Sequence, residues 1–226
     1  MTESAYDDPS EIDRQALAGR HRAVIGGAWE EIGRLQLEFL IARGLAAHHV
    51  LLDIGCGPLR AGVRIIPYLD PGNYWGIDKN ETLLRIGYDL ELRRCGVQDR
   101  QPRDQLLCLA DFAFDRIDAQ FDVAIAHSLF THLSLNRIRR CLARLAPSLR
   151  TDARLYATIF EVEPGQDREA TIVHPPEGVV SHSDRAFYHY DRRDLGFVVE
   201  DLPLTVEHIG DWGHPRGQHM VAFRKL

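Results

Sequence analysis

Several things are scarce in this sequence, and each scarcity rules something out. The four cysteines, Cys56, Cys95, Cys108 and Cys141, lie far apart with no CxxC pair. That pattern argues for reduced thiols rather than a disulfide frame or a zinc site. Basic residues are not in excess: 27 Lys and Arg against 33 Asp and Glu leave a net charge of −6. A general nucleic-acid binder needs a basic surface to displace phosphate counterions, so DNA and RNA are not expected as partners. The longest apolar runs fall far short of a bilayer's width, so no membrane partner is expected either. The opening MTESAYDDPSEID is acidic and polar, the reverse of a secretory leader, and a cytoplasmic location is the expectation. Eleven histidines are many. Yet His48–His49, His127/His132, His182/His189 and His214/His219 match neither HExxH nor a Cys-His ligand spacing, so no metal is expected.

What is present is enough for one large domain. The chain has 226 residues, 45% apolar and 27% charged, which is ordinary for a globular protein with a sizeable core. Residues 1–10 read as frayed, with Ser10 of Asp8-Pro9-Ser10 as a helix N-cap. Glu11 to Gly44 reads as two helices broken at Gly26-Gly27. In the second, Trp29, Ile32, Phe39 and Leu40 share a face at helical spacing. Gln36 falls on that same face and needs a polar partner. From Val50 the texture changes. Strand patterns at Val50–Ile54, Tyr74–Ile77, Gln105–Leu109, Phe121–Ala126, Arg154–Phe160, Phe197–Glu200 and Met220–Arg224 alternate with helical patterns near Gly62–Tyr68, Glu81–Cys95, Ser134–Leu145 and Arg192–Leu195. Such alternation predicts right-handed crossovers and a mainly parallel α/β sheet.

The first strand, VLLDIGCGP, ends in a glycine turn. In open parallel sheets a ligand sits beyond the carboxyl ends of the strands, at a turn of this kind. Gly55 and Gly57 lack a Cβ, so a ligand can lie directly on their backbone. A dinucleotide loop wants a third small residue, where this chain has Arg60, and the phosphate-cradling GxxxxGK is absent. YWGID then ends in Asp78, at the spacing from the loop where a carboxylate takes ribose hydroxyls. LLCLADFAF places Asp111 and Phe112 after the third strand, where they can hold an adenine edge and face. Asp53, Asp78 and Asp111 make a negative rim. Such a rim repels a pyrophosphate but suits an adenosine that carries a cation.

VLLDIGCGP, YWGID, LADFAF and FDVAIAHSLFTHL together resemble the successive motifs of the class I S-adenosylmethionine-dependent methyltransferases, over roughly Val50 to Phe160. The resemblance implies a Rossmann-like, doubly wound, seven-stranded and mostly parallel sheet with a reversed last strand, which HMVAFRKL fits. It implies S-adenosyl-L-methionine as cofactor, with Asp53, Gly55 and Gly57 at the methionine end, Asp78 on the ribose and Asp111 with Phe112 on adenine. His127 would offer backbone to the amino-acid moiety. Residues 1–45 would form a helical lid presenting Trp29, Gln36 and Phe39, and 46–226 the catalytic domain. Blander readings stand beside these: Asp53 bracing its own loop, Asp78 and Asp111 as turn residues, and the lid as a plain packing helix.

Methyl transfer from a sulfonium needs collinear nucleophile, methyl and sulfur, a base if the acceptor is protonated, and aromatic faces near the cation. AHSLFTHLS offers His132 as base, Phe130 towards the cation, and Ser128 or Thr131 to orient an acceptor. Alternatively, Thr131 or Ser134 caps the next helix. The insertion Glu161 to Asp191 offers Phe187, Tyr188, His189 and Tyr190 as a cover, or else a short strand with alternating buried rings. Near the end, Asp211, Trp212, His214 and Arg216 either bind a polar substrate or make a tight loop. The Pro-Pro signature of amino-methylating relatives after the fourth strand is missing, so a small-molecule acceptor is expected. Two other outcomes share these motifs: a cyclase that turns the cofactor's own aminobutyrate chain into azetidine-2-carboxylate, releasing methylthioadenosine, and a non-catalytic binder.

Overall fold

A computed structural model describes residues 9–175 and 178–226. The chain forms two compact units, Met1–Ala110 and Asp111–Leu226. The expectation for residues 1–10 falls, up to residue 8, outside the described residues.

The first unit opens with helices α1 (Pro9–Gln15), α2 (His21–Val24) and α3 (Trp29–Ala42). Strands β1 (Leu51–Ile54), β2 (Tyr74–Asp78) and β3 (Leu106–Cys108) follow, with α4 (Gly62–Tyr68) and α5 (Glu81–Ile86) between them. All pairings are parallel, with β2 in the middle. Every residue of β1 is buried, which is why LLDI shows no polar alternation: both faces of a parallel strand are covered. The helix expected over Glu81–Cys95 continues past Ile86 through a widened turn, Gly87–Leu92. Helix α1 starts at Pro9, so Ser10 lies inside its first turn rather than capping it. The α2–α3 break comes at Gly26–Gly27, as the sequence suggests.

Helix α3 buries Trp29, Ile32, Gly33, Gln36 and Leu40. Gly33 packs tightly against α4 and the residues leading into it: a Cβ there would lie 2.7 Å from the Arg60 carbonyl oxygen and 2.8 Å from Arg64 Nη1. The carbonyl cannot yield without moving backbone. Gly33→Val is expected to cost about 1–3 kcal/mol of stability by overpacking, read from chemical denaturation.

The second unit contains β4 (Phe121–Ala126), α6 (Leu135–Leu145), β5 (Leu149–Glu161), β6 (Ile172–His174), β7 (Val179–Ser181), β8 (His189–Tyr190), α7 (Arg192–Val199), β9 (Leu204–Gly210) and β10 (His219–Lys225). The strand order is β4–β5–β10–β9. β4 and β5 are parallel, while β10 runs against both of its neighbours and is the reversed strand. β8 extends the edge of β5 at its carboxyl end, and β6 pairs with β7 as a hairpin. Mostly parallel strands with one reversed member make the Rossmann-like α/β class expected from the motifs.

One expected strand is a helix. Phe197–Glu200 begins inside α7, which a capping box starts: Asp191 accepts from the helix backbone and Asp194 reaches back to the Asp191 amide. Leu195 and Val198 share the buried face, and Phe197 points outward at 46% exposure. The local caps outweigh the β-branched run FVV. The strand role passes to LTVEHIG, now β9.

Candidate functional site

The glycine loop follows β1. Gly55 and Gly57 have φ of 76° and 52°, left-handed values that a side chain resists. The Ile77 carbonyl accepts from the amides of Gly55 at 2.8 Å and Cys56 at 3.0 Å, which pins the turn to β2. Asp78 completes it. Its Oδ2 accepts from the Gly57 amide at 2.9 Å and its Oδ1 from the Asn80 amide at 2.8 Å. Burial raises the Asp78 carboxyl above its ordinary value, against the amides of Asn80 and Gly57. Asp53 is buried behind the loop and accepts from the Tyr74 hydroxyl at 2.7 Å. Burial pushes its carboxyl up to about 7, opposed by that hydrogen bond. Cys56 is a buried thiol that burial also drives upward, an inert packing group rather than a nucleophile.

The amino-terminal helices are fastened to this loop. Arg60, the residue that breaks the dinucleotide pattern, donates from Nη1 to the carbonyls of Gly27 at 3.0 Å and Ile25 at 3.3 Å. A Cβ on Gly57 would meet Ile25 Cγ2 at 3.5 Å. Asn80 caps α5 through Leu83 and donates its amide to Asp13 of α1 at 3.0 Å. Glu91, fully buried, takes His21 Nε2 and Arg22 Nη2, each at 2.6 Å. Trp29 is held by that group, with the Arg22 guanidinium 4.4 Å from its ring centre and the His21 ring edge-on. Gln36 is buried and donates back to the Ile32 carbonyl of its own helix at 3.3 Å. Phe39 lies beneath the Arg43 guanidinium.

In the second unit, Asp111 and Phe112 follow β3 with φ of 56° and 57°. Asp111 is exposed, its carbonyl takes the Arg144 guanidinium at 2.5 Å, and Phe112 stacks on Phe114. At the carboxyl end of β4 the chain turns through Ser128, whose amide donates to Thr158 Oγ1 at 2.7 Å. Gln218 Oε1 accepts from Ser128 Oγ at 3.1 Å and Thr158 Oγ1 at 2.6 Å. Beside them His127 and His214 face each other, Nε2 to Nε2 at 3.0 Å, both buried. The Arg216 amide donates to His214 Nδ1 at 3.1 Å. His214 therefore carries its proton on Nε2 and donates it to His127 Nε2. Trp212 stacks on His214, meets His127 edge-on, and gives its indole N–H to the Gln218 carbonyl.

The other residues read from the sequence lie around this corner. Phe130 is sealed against Phe223. Thr131 donates to the Ser128 carbonyl, and Ser134 takes the α6 N-cap position without a side-chain bond. His132 sits in a short helical turn with its ring 4.6 Å from that of Phe187. Tyr190 is buried and donates to the Leu133 carbonyl, and His189 pairs beside it in β8, which is the short-strand reading of this segment. Tyr188 lines a cavity of 290 Å³ together with Ser134, Asn136, Arg168, His189 and Asp194.

Beneath that cavity runs a buried relay. His189 Nε2 donates to the Arg168 carbonyl at 2.9 Å, so its Nδ1 accepts from Ser181 Oγ at 2.8 Å. Ser181 in turn accepts from His174 Nε2 at 2.7 Å. Burial, with the nearby His189 and His219, lowers His174 to about 4. A histidine depressed in the fold stabilises it above its unfolded value, and that support is lost as pH falls toward the folded value. Unfolding free energy is therefore expected to drop between about pH 6.5 and pH 4, and His174→Phe should flatten this slope in denaturant titrations.

Thr158, Gln218 and the bracing role of Tyr74 carry no local sequence signal. Their partners are 60, 90 and 21 residues away.

Residues 52–155 match the model of a family described as a methyltransferase domain. The fold is similar to that of magnesium protoporphyrin IX methyltransferase (ChlM) from Synechocystis PCC 6803, solved with bound S-adenosylmethionine, at 14% identity over 100% of both chains and a TM-score of 0.65. An S-adenosylmethionine-dependent methyltransferase from Clostridium acetobutylicum is similar at 12% identity over 99% of each chain, TM-score 0.62. DhpI, in complex with S-adenosylhomocysteine, is similar at 14% identity over 97% of this chain and 96% of its own, TM-score 0.65. Residues 52–155 thus form a methyltransferase domain, the fold is the one shared by S-adenosylmethionine-dependent methyltransferases, and S-adenosylmethionine is the cofactor that this domain implies.

Proposed function

We propose that this enzyme methylates a small-molecule acceptor that gives up a proton, and that the His127–His214 pair is where that proton is held. The cofactor fits the first unit's loop by the chemistry of its donors. Gly55 and Gly57 present main chain without a Cβ, and Asp78 is the acceptor for ribose hydroxyls. No lysine follows the loop at the phosphate-cradling position. In the second unit, Asp111 and Phe112 keep the adenine role that the motif implies, and the His127 backbone keeps the amino-acid role. Residues 9–45 act as a cap, fastened through Arg60, Asn80 and Glu91.

When bound, S-adenosylmethionine supplies an electrophilic methyl group on a positively charged sulfur. The chain's task is alignment and proton handling. Ser128, fixed by Thr158 and Gln218, and the Trp212 face are rigid enough to orient an acceptor. Each neutral imidazole of the pair keeps one basic nitrogen; that of His214, Nδ1, is held by the Arg216 main-chain amide, so His127 Nε2 is the one left to take the acceptor's proton. The pair is the observation that carries this reading. The net charge of −6 further disfavours a nucleic-acid acceptor.

His127→Ala is expected to lower kcat by about 10²- to 10⁴-fold while leaving S-adenosylhomocysteine affinity within a few-fold, because the backbone at 127 is retained. Steady-state assays of homocysteine release, run with pooled small hydroxy, amino and carboxylic acceptors, read this directly. A loss confined to His132→Ala would move the base to His132. Methylthioadenosine released from the cofactor alone would mean cyclisation instead of methyl transfer.

A further inference from the structure

Away from the groups used above, three strands of the second unit bring one carboxylate and two imidazoles to a single point. Glu161 ends β5, His208 lies in β9 and His219 begins β10. The register explains the convergence. His219 pairs with Ile159, two residues before Glu161, and His208 pairs with Val221, two residues after His219. Side chains two apart on a strand share a face, so all three project from one side of the antiparallel β5–β10–β9 ladder. Their candidate ligand atoms lie within 4.8 Å of one another. His208 Nε2 is 2.7 Å and His219 Nδ1 2.5 Å from the same carboxylate oxygen, Glu161 Oε2.

The other carboxylate oxygen, Oε1, accepts from Arg192 at the start of α7. One oxygen is thus clamped from behind and the other aimed at two imidazoles. This is the arrangement by which an outer partner orients a ligating carboxylate. The Glu161 side chain is 2% exposed, whereas His208 and His219 are 22% and 20% exposed. The group is anchored at its base and opens on the histidine side.

We propose that Glu161, His208 and His219 form a binding site for one divalent transition-metal ion of the zinc class. Two imidazoles and a carboxylate are the donor set that such ions favour over magnesium or calcium, which take oxygen. Three protein ligands leave a fourth position for water or a polar ligand on the exposed side. A tetrahedral ion with bonds of about 2.0–2.1 Å sets its ligands about 3.3 Å apart. The imidazoles must therefore swing outward from their present hydrogen-bonded positions, which their partial exposure permits. The spacing of these residues, 47 and 58 positions from Glu161, matches no linear metal motif, which is why the sequence pointed to none. The site stands independently of the acceptor chemistry proposed above.

The test uses the full chain without an appended histidine tag. Cobalt(II) is added and the visible absorption of the tetrahedral ion is followed, then zinc(II) is added to displace it. The expected result is one cobalt per chain and complete displacement by zinc. His208→Phe and His219→Phe should each weaken binding at least 100-fold, with unchanged circular dichroism. His49→Phe, a histidine of the other unit, should leave binding unchanged. No uptake at 100 µM cobalt, or equal uptake by the parent and both His208 and His219 variants, would overturn the proposal. Should a phenylalanine variant fail to fold, His208→Gln and His219→Gln take its place, with the same outcomes read the same way.

Discussion

Asp78→Ala is expected to lower affinity for S-adenosylhomocysteine by about 100-fold or more, since a charge-assisted hydrogen bond contributes roughly 1.5–3 kcal/mol and a ribose offers two hydroxyls. The carboxylate does a second job in the protein itself. It holds the Gly57 and Asn80 amides at 2.9 and 2.8 Å, so its removal also loosens the main chain of the glycine loop. The two contributions are separable. Asp78→Asn keeps one oxygen acceptor but loses the charge and the second acceptor, so it should fall between the parent and the alanine variant. Titration calorimetry gives the affinities, and circular dichroism confirms that the apoprotein still folds. Equal affinity for parent and Asp78→Ala would remove the ribose role from this residue.

The second large effect concerns Glu91. Its side chain is 0% exposed and carries both His21 and Arg22. Removing one partner of a fully buried ion pair costs about 3–5 kcal/mol, but Arg22 is 34% exposed and solvent takes up part of its charge, so the loss of the charged hydrogen bonds sets a cost of about 1.5–3 kcal/mol. Glu91→Gln is therefore expected to destabilise the protein by that order and to release α1–α3 first, seen as early proteolysis before Leu45. The pH dependence has a definite sign. Burial works to raise the Glu91 carboxyl, but Arg22 and His21 outweigh it and hold it below the ordinary value. A depressed carboxylate stabilises the fold at neutral pH, and that support is lost as pH falls through its folded value. The parent should shed its amino-terminal helices in acid below about pH 4.5, whereas the Gln variant should show the loosened cap at neutral pH already.

What the sequence made legible was local. Two glycines after an apolar strand, an aspartate ending the next strand and the β–α alternation all express themselves within a few residues, so the loop and most strands were readable. The β9 error was also local in kind. FVV has strand propensity, and only the Asp191–Asp194 capping box, which starts the helix several residues earlier, overrides it. Arg60 is the instructive case. Its sequence position argued only against a dinucleotide loop, while its structural role is to hold carbonyls 33 and 35 residues back in the chain. The Glu91 clamp, the His127–His214 pair and the Glu161 group arise the same way. Each is assembled by packing between residues 47 to 87 positions apart, a separation over which polar side chains in one sequence leave no periodic trace. In the insertion after β5 the sequence left a cover and a short strand both open, because the two residues of β8 are too few to show a pattern that decides between them.

Amide hydrogen exchange, followed by mass spectrometry with and without S-adenosylhomocysteine, tests the central claim most directly. Addition of the ligand should slow exchange in peptides covering residues 51–60 and 76–81, where Gly55, Gly57 and Asp78 lie, and NAD should not. Protection elsewhere with those peptides unchanged, or equal protection by NAD, would contradict it.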